Sequence, residues 1–148
     1  MAQEERDELG FRLKRICEEI ERTANQEAVE LGLTFVQGSV LLFLHDMGGS
    51  CGQCEVERYL NISHPAVGGI LRRMEQKKLI FCAFDAKDRR VKNVYLTPAG
   101  EALYPKVLAI RHRADWKLHH TLTRKELDSL YDLLDRVYNH LGDRQEAP

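Results

Sequence analysis

Asp88-Arg89-Arg90-Val91-Lys92-Asn93-Val94-Tyr95-Leu96-Thr97-Pro98-Ala99-Gly100 decides how the rest of this chain is read. Val91 to Leu96 has the composition of a short strand, and Leu79 to Phe84 just before it reads as its partner, so Asp85 to Arg90 becomes the tip of a hairpin. Thr97 followed by Pro98 and, soon after, Glu101 then signals a capped helix start. The tip carries Lys87, Asp88, Arg89 and Arg90. A short basic tip fits the minor groove of duplex DNA, where an arginine senses groove width and negative potential. Asp88 is placed to hold one of these arginines through a charge-assisted bond.

Immediately upstream lie two helical segments, Gln53 to Leu60 and Ser63 to Lys78, joined by Asn61-Ile62-Ser63. Ser63 is the N-cap of the second and Pro65 falls in its first turn, where a missing N–H costs little. Val56, Tyr59 and Leu60 are the inward residues of the first helix. Val67, Ile70, Leu71 and Met74 form the inward face of the second, which leaves Gly68, Gly69, Arg72 and Arg73 toward solvent. A helix pair of this kind lays its second helix in the major groove, with the first-turn residues at base edges. Here those are Ser63, His64, Pro65 and Ala66, and Arg72 and Arg73 suit guanine edges or phosphates. Hairpin and helix pair together predict a mainly α fold with a small β-hairpin wing, a winged helix-turn-helix.

The flanks are helical. Leu9, Leu13, Ile16, Cys17, Ile20, Ala24, Ala28 and Leu31 make one apolar stripe ending near Gly32, with Cys17 expected in a core. Thr34 caps a helix carrying Phe35, Val40, Leu41, Phe43 and Leu44, which stops at Met47-Gly48-Gly49-Ser50. After the wing, Leu103, Val107, Ile110, Ala114 and Leu118 mark one helix. Thr123 with Glu126 opens the last, striped by Leu127, Leu130, Leu134, Val137 and Leu141. At 148 residues, with 43% hydrophobic content, one domain with a real core is expected. Residues 34–96 are its DNA-binding lobe, and 1–32 and 97–141 are flanking helices. Residues 1–7 are too polar for a secretory signal, 142–148 form a polar tail, and no run approaches membrane-spanning length, so a cytoplasmic location is the expectation.

Net charge is only −1, yet eight bases against three acids between Arg72 and Lys92 give that segment +5, while residues 1–30 carry five bases and nine acids. Attraction for phosphate is thus concentrated on one surface. No Walker loop, nucleophile elbow or HExxH motif is present, so nothing points to an enzyme or to a cofactor.

Three other groupings stand out. Cys51-Gly52-Gln53-Cys54 is a CxxC at a helix start, where the helix dipole lowers a thiol pKa. Together with Cys82 it reads either as a redox or metal switch or as incidental thiols, since the second ligand pair of a zinc site is missing. His112, Asp115, His119 and His120 share a helix and read as solvated polar residues, with half a metal site as the alternative, so no metal site is assigned. Phe35, Phe43, Tyr59, Trp116 and Tyr104 either pack a core or line a cavity for an aromatic ligand.

Asp88-x-Arg90-x-x-x-Val94-x-Leu96-Thr97-x-x-Gly100 resembles the wing signature of the multiple-antibiotic-resistance regulator (MarR) family. Leu33-Thr34-x-x-Gln37 is similar to the start of that family's second helix. Asn61 to Val67, with Leu71-x-Arg73-Met74-Glu75-x-Lys77-x-Leu79-Ile80, is similar to its turn and recognition helix. The resemblance implies a homodimeric regulator, usually a repressor, on pseudopalindromic double-stranded DNA. Its first and last two helices would dimerise, and a small phenolic or other aromatic effector would release the DNA. It also implies that Arg90 is the groove-inserting residue and Asp88 its brace. Alternatives of the same fold are a redox- or metal-responsive regulator switched through Cys51 and Cys54, or a dimerisation scaffold that does not bind DNA. Four residues depart from the family pattern: Lys78 stands at a usual glycine, Gly68 and Gly69 at hydroxyl or longer polar residues, and Glu57 at a small residue.

Overall fold

A computed structural model describes residues 8–142. The polar stretch 1–7 and the part of the tail from 143 onward, both read above from sequence, lie outside the described residues. The elements are α1 (Leu9–Ala28) with a short 3-10 turn (Val29–Leu31), α2 (Phe35–Asp46), β1 (Ser50–Gly52), α3 (Gln53–Leu60), α4 (His64–Gln76), β2 (Ile80–Phe84), β3 (Lys92–Leu96), α5 (Pro98–His119) and α6 (Arg124–Gly142). The winged helix-turn-helix expected from the sequence is the fold observed.

One strand was not expected. β1 pairs antiparallel with β3 (Ser50↔Tyr95, Cys51↔Val94, Gly52↔Asn93), and β3 pairs with β2 from Ile80↔Leu96 to Phe84↔Lys92, giving the order β1-β3-β2. Three residues are too few to show alternation. The strand exists because β3 offers it an open edge, not because its own sequence demands extension.

Among the described residues, nine side chains are almost wholly buried: Val40, Leu41 and Leu44 of α2, Val56 of α3, Val67, Leu71 and Met74 of α4, and Ile80 and Val94 of the sheet. Removing each from water contributes about 1.5–3 kcal/mol, which fixes the recognition helix and the wing onto one base. Tyr59, expected inward with Val56 and Leu60, is 45% exposed. It lies flat on Phe43 instead, ring centroids 4.3 Å apart. The entry of α2 is tied down by polar contacts. Thr34 and Gln37 form a capping box, Asn25 Oδ1 accepts the Phe35 N–H at 2.6 Å, and Lys77 Nζ donates to the Gly32 carbonyl and, at 2.8 Å, to Gln37 Oε1.

The exit of α4 shows why glycine suits position 78, where this chain has lysine. The Leu79 N–H reaches the Met74 carbonyl (3.1 Å) and the Lys78 N–H the Glu75 carbonyl (2.8 Å), the two bonds of a Schellman C-cap. Lys78 therefore adopts φ +60°, a left-handed conformation that glycine takes without steric cost. Lys78→Gly is expected to raise stability by about 0.5–1 kcal/mol, read as a higher denaturation midpoint with an unchanged m-value.

Two compact units divide the chain, one running to Arg111 and one starting at His112. In the first, α1 buries only Ala24 and Ala28. Leu9 and Ile16 are more than half exposed, and Cys17, expected in a core, is exposed as well. The N-terminal half of the stripe is thus largely exposed among the described residues. In the second unit, α6 begins with the expected capping box, the Glu126 N–H reaching Thr123 Oγ at 3.3 Å and the Thr123 N–H reaching Glu126 Oε2 at 2.8 Å. No residue of α6 is buried, and Leu133, Tyr138 and Leu141 are among its exposed apolar residues. Among the described residues no single helix is long and apolar enough to cross a membrane.

Candidate nucleic-acid interface

The turn between α3 and α4 is made by Asn61 at φ +52°, ψ +44°, a left-handed conformation that asparagine tolerates better than other side-chain-bearing residues. Ser63 Oγ then accepts the Ala66 N–H at 3.4 Å and opens α4. Ser63, His64, Pro65 and Ala66 are all exposed, as are Arg72 and Arg73, while Gly68 and Gly69 are half-buried. A Cβ added at Gly68 would meet nothing within 4 Å. Neither packing nor backbone conformation inside this chain calls for glycine there.

The wing is organised by two aspartates. Asp88 grips Arg90 through both carboxylate oxygens, from Nε at 3.0 Å and Nη2 at 3.2 Å, and also accepts the Arg90 N–H at 3.1 Å. Arg90 nevertheless keeps 91% of its side-chain surface in solvent, so the brace aims the guanidinium without burying it. Asp85, which the sequence reading passed over, closes the turn itself. Its Oδ1 accepts the N–H groups of Lys87 (2.8 Å) and Asp88 (3.1 Å), and its Oδ2 accepts from Asn93 Nδ2 (3.1 Å). An aspartate two residues before a turn amide is the Asx-turn signature, so the signal was present. Lys87 and Arg89 are exposed beside it.

These bonds hold both carboxyls below the usual aspartate range. For Asp85 the first cause is the Lys87 N–H, and for Asp88 it is the Arg90 guanidinium. A depressed carboxylate contributes fully above its unfolded pKa and loses that contribution as pH falls through the lowered value. The two carboxylates therefore keep this contribution to the wing turn at neutral and mildly acid pH. Between α3, α4 and the wing lies a cavity of about 570 Å3, whose walls include Gln53, Cys54, His64, Gly68, Arg72 and Arg90. Of the expected DNA-reading residues, His64, Pro65, Gly68, Arg72 and Arg90 thus line one concave surface, whereas Ser63, Ala66, Gly69, Arg73, Lys87, Asp88 and Arg89 are not among its walls.

The remaining candidates fall elsewhere. Cys51 sits in β1 opposite Val94 and is buried. Burial first, and the Glu55 charge second, push its thiol up to about 11. The expectation that a helix dipole lowers this thiol is thus corrected: Cys51 is a strand residue, and only Cys54, exposed, lies in the first turn of α3. Cys82 also pairs with Val94, from the other side. One strand therefore separates it from Cys51, roughly 10 Å of sheet, too far for a disulfide without backbone movement. Burial raises its thiol too, to about 11. Iodoacetamide at pH 7.5 is expected to label Cys54 at least about ten times faster than Cys51 or Cys82, as followed by peptide mass spectrometry.

Phe43 and Tyr59 are brought together, as described, whereas Phe35 lies under the Arg111 guanidinium at 4.9 Å. Tyr104 stacks on His45 at 3.5 Å. Trp116, in the C-terminal unit, is 61% exposed and stacks on His120 at 4.4 Å. His119 hydrogen-bonds the Tyr131 hydroxyl at 2.7 Å and lies 3.9 Å from Asp115.

The MarR family model matches residues 31–91, which run from the end of the first helical segment to the wing. The Staphylococcus aureus MepR–DNA complex is 27% identical, covering 90% of this chain and 98% of that one, with a TM-score of 0.83. Bordetella bronchiseptica BpsR, whose DNA binding is regulated by 6-hydroxynicotinic acid, is 26% identical over 90% of this chain and 94% of its own, with a TM-score of 0.80. A MarR variant from E. coli bound to operator DNA shares the fold at 23% identity, over 87% and 92% of the two chains, with a TM-score of 0.79.

Proposed function

We propose that the chain is a member of the MarR family of DNA-binding transcriptional regulators, whose model matches residues 31–91, and that it is a ligand-responsive repressor that binds a pseudopalindromic operator as a homodimer. The observation that carries this reading is the doubly gripped, solvent-exposed Arg90 beside the first turn of α4. Ser63, His64, Pro65, Ala66, Gly68, Gly69, Arg72 and Arg73 enter the major groove, and Lys87, Asp88, Arg89 and Arg90 form the wing in the minor groove. The open Cβ position at Gly68 supports close approach of the DNA. Dimerisation is supported by the unpartnered apolar residues of α1 and α6, since isolated soluble helices do not keep such stripes without a use. The effector is a small aromatic molecule, a reading supported by the regulation of BpsR by 6-hydroxynicotinic acid. Phe35, Phe43 and Tyr59, all in the first unit, are its proposed contacts. The chain performs no catalysis.

Fluorescence anisotropy with a duplex from upstream of the protein's own gene tests the proposal. Log affinity should fall linearly with log salt, with a slope of several units, as phosphate contacts release counterions. Sedimentation equilibrium at the same concentration should give twice the chain mass. A monomer, or a protein that ignores duplex DNA at about 50 mM salt, leaves a dimerisation scaffold or some other role in its place.

A further inference from the structure

Glu57, the residue that departs from the family pattern in α3, touches the recognition helix directly. Its Oε1 lies 2.5 Å from Nδ1 of His64, the first residue of α4. The buried Gln53 donates its side-chain amide to the same oxygen at 3.2 Å and lies 3.3 Å from the imidazole. Exposure is unequal: 19% for the Glu57 side chain against 74% for His64. The carboxylate is thus seated on the protein while the imidazole stands out from it.

A carboxylate only accepts hydrogen bonds, so the proton between the two belongs to His64 Nδ1. That choice sets the other nitrogen. In the neutral imidazole, Nε2 is left with a lone pair, on a side chain that is 74% exposed. Gln53 meanwhile spends its N–H on Glu57, which keeps the carboxylate from turning away. The arrangement is that of a side chain whose ring angle and tautomer are chosen by a neighbour, as the second ligand sphere does for metal-bound histidines.

We propose that Glu57 is a positioning residue that makes His64 a base-reading acceptor, presenting Nε2 to an exocyclic amino group, adenine N6 or cytosine N4, in the major groove. This rests on the DNA-reading function proposed above. It also accounts for a glutamate on a surface that otherwise attracts phosphate. The charge is satisfied internally by Gln53 and His64, so it does not face the DNA as a bare anion.

The test is selection from a pool of randomised duplexes of about 30 bp, long enough for two half-sites one helical turn apart, using the full chain at pH 8. Wild type, His64→Ala, Glu57→Ala and Glu57→Gln are compared, with melting curves confirming that all four fold. His64→Ala and Glu57→Ala should lose preference at the same base pair of each half-site, on the order of ten-fold. Glu57→Gln should keep it, because its amide oxygen still accepts from Nδ1. A loss of folding alone would not single out one base pair, nor be rescued by glutamine. The proposal is overturned if Glu57→Ala keeps a preference that His64→Ala loses, or if His64→Ala changes nothing. Uniform weakening across all duplexes, with the salt slope reduced by about one per protomer, makes the contact a phosphate contact and overturns base reading as well. A wild type that enriches no sequence removes the DNA-reading function itself, and this proposal with it, which distinguishes the two failures.

Discussion

Arg90→Ala is expected to weaken duplex binding by roughly 10- to 100-fold per wing while leaving the melting temperature unchanged. The asymmetry follows from exposure. With 91% of its side chain in water, Arg90 contributes little to the folded state, because a solvent-exposed ion pair is worth little. In a narrow groove the same guanidinium meets focused negative potential, and a well-placed arginine contact is worth about 1–3 kcal/mol. The brace sharpens the prediction. Asp88 fixes Arg90 through two parallel bonds, so less side-chain entropy is lost on insertion. Asp88→Ala should therefore weaken binding too, but less than Arg90→Ala, even though it removes a negative charge from the interface. A wing acting through charge alone would give the opposite sign, with Asp88→Ala binding more tightly. Lys87→Ala should reduce the salt slope by about one per wing without touching sequence preference. An Arg90→Ala protein that bound as well as wild type at 150 mM salt would remove the wing from the interface.

Most of the frame was legible before any coordinates, and for one reason: the elements are announced by local chemistry. Thr34, Ser63 and Thr123 are caps that act within three residues of themselves, and the stripe of α4 buries Val67, Leu71 and Met74 as its period says, with Ile70 half-buried. What escaped detection depended on contacts distant in sequence. β1 is a strand only because β3 runs beside it. Cys51 read as a helix-start thiol because CxxC is a local pattern, whereas its burial comes from the sheet. Tyr59 alternates like an inward residue yet spreads over Phe43, since a ring of that size finds more contact lying across the groove than pointing into it. In the reading surface, the Asp88–Arg90 grip could be foreseen from a spacing of two. The Glu57–His64 pairing, across seven residues and two helices, could not.

Gly100→Ala is the substitution expected to damage the fold most. Gly100 is buried in the first turn of α5, and a Cβ there would fall well inside van der Waals contact with the Leu79 carbonyl oxygen and lie 2.8 Å from Leu96 Cδ1. The leucine can rotate; the carbonyl cannot, because it is already committed. Leu79 O accepts the Thr97 N–H at 3.1 Å, and Thr97 Oγ donates to the Lys78 carbonyl at 2.7 Å. Thr97 Oγ in turn accepts the Gly100 N–H at 3.1 Å. A methyl group at position 100 must therefore lift the start of α5 off the end of α4 and pull on the bonds that join the first residues of β2 to the end of β3. Overpacking against backbone of this kind costs about 3 kcal/mol or more, on the order of 10 °C in melting temperature for a chain this long. Gly68→Ala supplies the control. Its new Cβ enters open space, so it should stabilise by about 0.5–1 kcal/mol as alanine replaces glycine inside a helix. If both glycines behaved alike in thermal melts, backbone contact at Leu79 would not be what selects glycine at position 100. If they diverge as expected, the final glycine of the wing signature belongs to packing rather than to DNA. Loss of binding in Gly100→Ala would then follow from a displaced wing and would persist at temperatures well below the variant's own melting point, where loss through unfolding alone would recover.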